Sequence, residues 1–313
     1  MGYELVMTNL MISTPKFLLR HNLESGRTFV VENSRPEYYG ISWFQGGKNI
    51  VLSHSGIDNA SLVDLRAYAH SEVGWLSCGR HASWPFLSQS HQLLCIEKQH
   101  IAVTNTGRNC VTIVDCSNWS IRNVRFNDIL WDRLDRERPV GSHFNSLDYR
   151  NGRLYVLAHN FGKNSFIEEI DWPTLQRVRS LNFEATELHN LWVREDGLIL
   201  SCDSMRGSLI ELTSGKILWF SNKPNYLARG LACMKDALFV GASAYAPAED
   251  RSVSHGGIWV LDPQTWRTRE YIALGRVGAV HEVRILDEPD FCHPNGTLSL
   301  TSELQGAELS ELL

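Results

Sequence analysis

The sequence predicts an all-β chain, a six-bladed β-propeller of four-stranded antiparallel blades occupying residues 1–313 as a single domain. Three observations predict it. Short apolar segments recur every 40–54 residues and end in small polar residues, as buried strands running into turns do. Most are preceded by another strand and a turn such as Asn151-Gly152 or Asp196-Gly197. Almost no stretch shows helical periodicity. The composition agrees: 313 residues, 43% hydrophobic and 21% charged, describe a soluble globular chain able to bury a large core.

The recurring segments are residues 4–10, 49–55, 100–106, 153–159, 197–203 and 237–243. Five have a leading strand, at 38–45, 91–97, 145–151, 189–196 and 228–236. The first has none, and residues 280–287 (VHEVRILD) form a matching orphan near the C-terminus. The expected closure is therefore 1+3: the orphan is the innermost strand of a blade whose other three come from the N-terminus, which removes free edges. Third strands follow at 16–22, 61–65, 110–116, 165–171, 208–213 and 257–262. Several end in Asp before a turn carrying Trp or Thr, as at Asp115, Asp171 and Asp262. Fourth strands are shorter and more polar, as suits an outer edge. Two departures stand out. Residues 126–139 are an insert with helix-like apolar spacing, and 246–257 form a long polar loop; either suits protein contact. The tail 292–313 is expected to be only partly ordered.

Thirty basic and thirty-five acidic residues leave no basic block, so nucleic-acid binding lacks its electrostatic footprint. No apolar run is long enough to span a bilayer. Residues 1–14 do not read as a signal peptide. Seven scattered cysteines with no C-x-x-C pattern favour a reducing cytoplasm over a disulfide framework or a zinc ribbon. Walker, dinucleotide-binding, zinc-protease and nucleophile-elbow motifs are absent. Chemistry, if any, must come from side chains gathered on the propeller axis.

Aligned leading strands place Tyr39, His91, Asn145, His189, Arg229 and His281 in one column. Three histidines in alternate blades stand about 120° apart, a geometry that can bring imidazoles onto one ion. His91, His189 and His281 are thus candidate ligands of a divalent transition metal (Fe, Mn, Cu or Zn), since the column holds no carboxylate. The competing reading is a wet tunnel whose histidines bond one another, carbonyls and water. Arg229 is a candidate anchor for an anionic small-molecule substrate, or a salt-bridge partner of Glu282. Asn145 is a second substrate contact, and Tyr39 and Glu282 are candidate proton-handling groups. Gln92, Ser146, Asn190 and Glu282 follow the column by one residue and are placed to orient rings or water. His143 is a rival ligand, and Asp203 the best lone carboxylate near a channel mouth. His54, His159 and His255 read as structural or solvated.

On the repeats and the Asp-turn endings, the chain resembles the β-propeller superfamily, and within it the six-bladed gluconolactonase and strictosidine-synthase-like propellers. That resemblance implies a Glu, two Asn and an Asp around a divalent ion. Asn145, Asn190 and Asp203 could imitate three of these, while Tyr39-Gly40 stands where the glutamate belongs. The three central histidines look more like the metal–histidine centres of carotenoid oxygenases and some propeller lyases. Two functions follow: a metal-dependent enzyme (lyase, hydrolase or oxygenase), or a non-catalytic ligand- or protein-binding propeller.

Overall fold

The computed structural model describes residues 8–35, 37–46, 50–54, 62–64, 81–83, 86–130, 141–247, 250–299 and 306–311. The strands run β1 Asn9–Ser13, β2 Leu18–Asn22, β3 Thr28–Glu32; β4 Tyr38–Ser42, β5 Val51–His54, β6 Leu62–Asp64, β7 His81–Ala82; and β8 Leu93–Ile96, β9 His100–Asn105, β10 Cys110–Asp115, β11 Ser120–Val124. They continue β12 Phe144–Arg150, β13 Arg153–Ala158, β14 Asn164–Asp171, β15 Arg177–Thr186; then β16 Leu188–Val193, β17 Ile199–Asp203, β18 Ser208–Glu211, β19 Lys216–Phe220. The last are β20 Tyr226–Cys233, β21 Leu238–Ala244, β22 Gly256–Leu261, β23 Thr268–Gly275, then β24 Glu282–Leu286 and β25 Ala307–Glu308. The described residues hold no α-helix, only short 3-10 turns.

Sheets β4–β7, β8–β11, β12–β15, β16–β19 and β20–β23 are four-stranded antiparallel meanders. The chain is a β-propeller. The count of regular four-stranded blades is five, one fewer than the repeats suggest. The remaining sheet has five strands in the order β24-β1-β2-β3-β25, because the tail adds β25 outside β3. In that sheet Asn9–Ser13 pairs antiparallel with Glu282–Leu286. Neighbouring contacts link β24 to β4, β4 to β8, β8 to β12, β12 to β16, β16 to β20 and β20 back to β24, so these six strands surround the axis.

The core lies as slabs between adjacent sheets rather than as one central mass. One such slab packs Leu94, Ala102 and Val111 against Leu147, Leu154 and Val156. The Asp-turn endings have a common cause. Asp115 and Asp262 accept backbone N–H groups two residues on, at 2.9 and 3.0 Å. The residue four after the Asp then turns left-handed, at Trp119, Leu175 and Trp266.

Three segments singled out in the sequence are described in part. Residues 126–130 carry bends and no helix, and 131–139 lie outside the described residues. Within 246–257, Arg251–Val253 forms a 3-10 turn and β22 already begins at Gly256, while 248–249 lie outside the described residues. Most of the tail's first part is packed. Asp290, His293, Asn295 and Leu298 are buried, and they cross the end of the propeller where the inner strands finish. Asn295 Nδ2 donates to the carbonyls of Trp43 and Cys95 at 2.5 and 2.6 Å, and the N–H of Phe291 to Cys233 O at 2.7 Å. Arg150 Nη2 reaches Phe291 O at 2.7 Å. Ser42 Oγ meets His293 Nε2 at 2.8 Å. This segment closes one end of the axis. No helix of the described residues is long and apolar enough to cross a membrane.

Candidate functional site

All six column residues come together. Tyr39, His91, Asn145, His189, Arg229 and His281 line one cavity, with Gln92, Ser146, Asn190 and Glu282 beside them. About 20 Å³ of it is open to the centres of water molecules, room for one or two. The cavity lies at the N-terminal ends of the inner strands, opposite the closed end. It is a blind cup.

Local backbone irregularities build the cup. Ladder register breaks at the column in four inner strands, between Tyr38 and Ile41, Phe144 and Ser146, His189 and Leu191, and Ala228 and Leu231. Each bulge re-aims a side chain that a regular strand would send into the neighbouring slab. Two residues before the column, Glu37, Gln89, His143 and Glu187 all have positive φ (44–55°). In His91 and His189 this turn brings the carbonyl of residue i−2 under the imidazole: Nδ1 lies 2.9 Å from Gln89 O and 3.0 Å from Glu187 O. His281 Nδ1 lies 2.9 Å from Tyr38 O. A carbonyl only accepts, so each Nδ1 carries the hydrogen and each Nε2 keeps a bare lone pair. Thr106 and Ser204 reinforce this. Their hydroxyls donate to Phe144 O and Ala228 O and stand 3.0 and 2.8 Å from Nδ1 of His91 and His189. Burial, with Arg229 and other imidazoles nearby, lowers all three histidine pKa values, that of His281 to about 3.

The imidazoles do not converge on an ion. Tyr39 stacks flat on His281 (4.1 Å, 5°) and lies 4.4 Å from His91, filling the gap between them. On the other side, rings step from His91 to His143, His159 and His189 at 5.0, 4.9 and 5.0 Å. Rings interposed at stacking distance hold the three column histidines apart. Among the described residues no group of three or more His, Cys, Asp or Glu is placed to hold a metal. A divalent transition metal therefore does not fit this donor set. Of the two further ring members, sequence reasoning kept His143 as a rival ligand and set His159 aside. His143 lies just outside the column, and His159 follows a second strand.

The residues following the column clasp the sheets together rather than orient imidazoles. Glu282 accepts the N–H of Ile41 at 3.2 Å and Gln92 Nε2 at 2.8 Å. Gln92 Oε1 accepts from Leu147 N (2.6 Å), Ser146 from Asn190 N (2.8 Å) and Asn190 Oδ1 from Gly230 N (2.6 Å). Ser53 donates to His91 O (2.5 Å), and Ser243 accepts from Val280 N (2.7 Å). Each junction thus has a side chain that satisfies a backbone group of the next sheet.

As a candidate acid or base, Glu282 is already engaged. It is buried and ion-paired to Arg284, which also donates to Leu231 O at 3.1 Å. Desolvation raises its pKa to about 7 against the pull of Arg284. Arg229 does not pair with it. Tyr39 donates to Glu37 at 3.1 Å, and burial raises its pKa out of reach of neutral proton transfer. Asn145 Nδ2 donates to Leu188 O at 2.8 Å. Asp203 does not line the cup and instead faces Arg206 at 3.6 Å, its pKa raised by burial. The lactonase-like set is thus reduced to Asn145 and Asn190.

No family model matches the chain, and no curated protein matches it. Solved structures do. A chain in a crystal structure of a nidogen/laminin complex aligns with TM-score 0.64 at 10% identity, covering 89% of this chain and 98% of that one. A Kuenenia stuttgartiensis hydrazine synthase aligns at TM-score 0.49 and 14% identity, over 74% of this chain and 65% of the other. At such identity the first likeness speaks for the propeller fold alone.

Proposed function

We propose that this chain is a non-catalytic, ligand-binding β-propeller that takes the polar end of a small molecule into the cup on its axis. The carrying observation is the convergence of ten polar or aromatic side chains on one cavity at the open end of a ring closed at the other. The histidines are held neutral, Tyr39 is a very weak acid, and both Glu282 oxygens are committed, so recognition is better supported than turnover. A panel of small acids, sugars and amines, each followed by thermal shift and by NMR, tests the reading. At least one compound stabilises the protein, loses that effect in His189→Phe, and is not consumed. Equal shifts in the variant, or steady consumption, would refute it.

A second reading, protein contact at the insert, is favoured by one observation: Ile129 and Leu130 at its start are 40% and 57% exposed. Leu130→Asp would weaken such a contact and leave the cup's ligand untouched.

A further inference from the structure

Two guanidinium groups near the cup lack partners. Arg229 lies among the ring residues, and Arg251 opens the nearby 3-10 turn. Nε of each is buried without a hydrogen-bond partner, and among the described residues neither side chain makes an ion pair. Glu37 acts on both arginines and Glu187 on Arg229, but only through space; with their Nε atoms unbonded, the two guanidiniums leave donors suited to an anion. Neither acid bonds a guanidinium. Glu37 accepts from Tyr39 and stands 3.9 Å from His281 Nε2, and Glu187 acts on Arg229 only through its field.

The imidazoles impose a second requirement. With hydrogen on every Nδ1, the three Nε2 atoms are acceptors, and a plain anion would meet their lone pairs. A matching ligand carries negative charge at one point and a donor hydrogen beside it. Charge and the need for a donor narrow the class: a carboxylate can take the planar guanidinium fork, and a fully ionised anion such as sulfate has no hydrogen to offer the imidazole lone pairs. An ammonium donor would face two guanidiniums, whereas a hydroxyl carries no charge to repel.

We infer that the cup binds a short hydroxycarboxylate, its carboxylate on the Arg229 guanidinium near Arg251 and its hydroxyl donated to Nε2 of a ring histidine. This rests on the ligand-binding reading above. Titration calorimetry with glycolate and lactate tests it against acetate, propionate and sulfate, all of which lack the donor. Glycolate or lactate should bind at least ten-fold more tightly than its donor-free match and than sulfate. Arg229→Gln should lose at least ten-fold, with Arg229→Lys recovering part and Arg251→Gln losing less. Circular dichroism confirms that each variant is folded; if Arg229→Gln is not, Arg251→Gln and the acetate comparison decide. Equal binding of acetate and glycolate, equal binding of sulfate, or indifference to both arginines would overturn the inference. If panel compounds of another class bind in a His189-dependent way, the ligand class fails and the cup stands. If nothing binds, both fail.

Discussion

Replacing Glu282 by glutamine keeps the shape of the side chain and removes its charge, so the variant isolates what burying that carboxylate costs. Desolvation raises the folded pKa from 4.5 to about 7. The native state therefore holds this proton more tightly than the unfolded chain does. The resulting stability is fully present below about pH 4.5 and is lost as pH rises through 7. A shift of that size corresponds to roughly 3 kcal/mol at 1.36 kcal/mol per pKa unit. Glu282→Gln has no such loss, so its stability relative to the parent should climb by up to that amount between pH 4.5 and 8. An unfolding entropy of about 2.1 cal/mol/K per residue over 313 residues converts this to roughly 5 °C in relative Tm. The ring histidines push stability the opposite way with pH, their pKa values being lowered. Both proteins carry them, so they cancel in the difference. Urea melts of the two proteins at pH 5 and pH 8 provide the measurement. A variant that loses ground to the parent as pH rises would refute the reasoning, because Arg284 would then outweigh the desolvation of Glu282.

Further substitutions test the clasps and one cation–aromatic contact. Ser146→Ala leaves the Asn190 N–H, now bonded at 2.8 Å, without a partner, and urea melts should show a loss of about 1–3 kcal/mol. Gly230 has φ +87°, and a Cβ there would stand 2.8 Å from Val283 Cγ2. Gly230→Ala should therefore cost about 1–3 kcal/mol or more through strain and overpacking, read in the same melts. Lys223 holds its ammonium 3.5 Å from the centre of the Tyr271 ring, with Tyr226 and Trp259 at 5.1 and 5.7 Å. Lys223→Gln should destabilise by about 0.5–2 kcal/mol, and an unchanged melt would show the contact to be incidental.

The strands and the column were legible because both follow a simple period: side chains alternate along a strand, and the repeat returns the same position in each sheet. Distance across the axis was not. Whether His91, His189 and His281 meet depends on bulges and on left-handed residues such as Gln89 and Glu187, which non-glycine sequence does not announce. It also depends on Tyr39, His143 and His159 wedging between them. The role of Glu282 was hidden for a related reason. Its partners Gln92, Ile41 and Arg284 lie on three different strands, so only the closed ring brings them together. The packing that follows β24 was not legible because Asp290, His293 and Asn295 are polar, and polar residues beyond the last repeat read as solvated. Asp290 and Asn295 instead serve strand-end backbone groups of other sheets, and His293 meets the Ser42 hydroxyl.

The pairing of Asn9–Ser13 with Glu282–Leu286 also sets a clock on biosynthesis. Roughly 270 residues separate the two strands, and at ~5–20 residues per second a ribosome needs about 14–55 s to make them. Through that interval the inner edge of β1 has no native partner, and the axial cup lacks His281. Sheets made in between can fold as they emerge, but the ring cannot shut until nearly the last strand arrives. A nascent chain arrested before residue 280 should thus expose β1 to chaperones or to another chain's edge, while one arrested well past residue 299 should not.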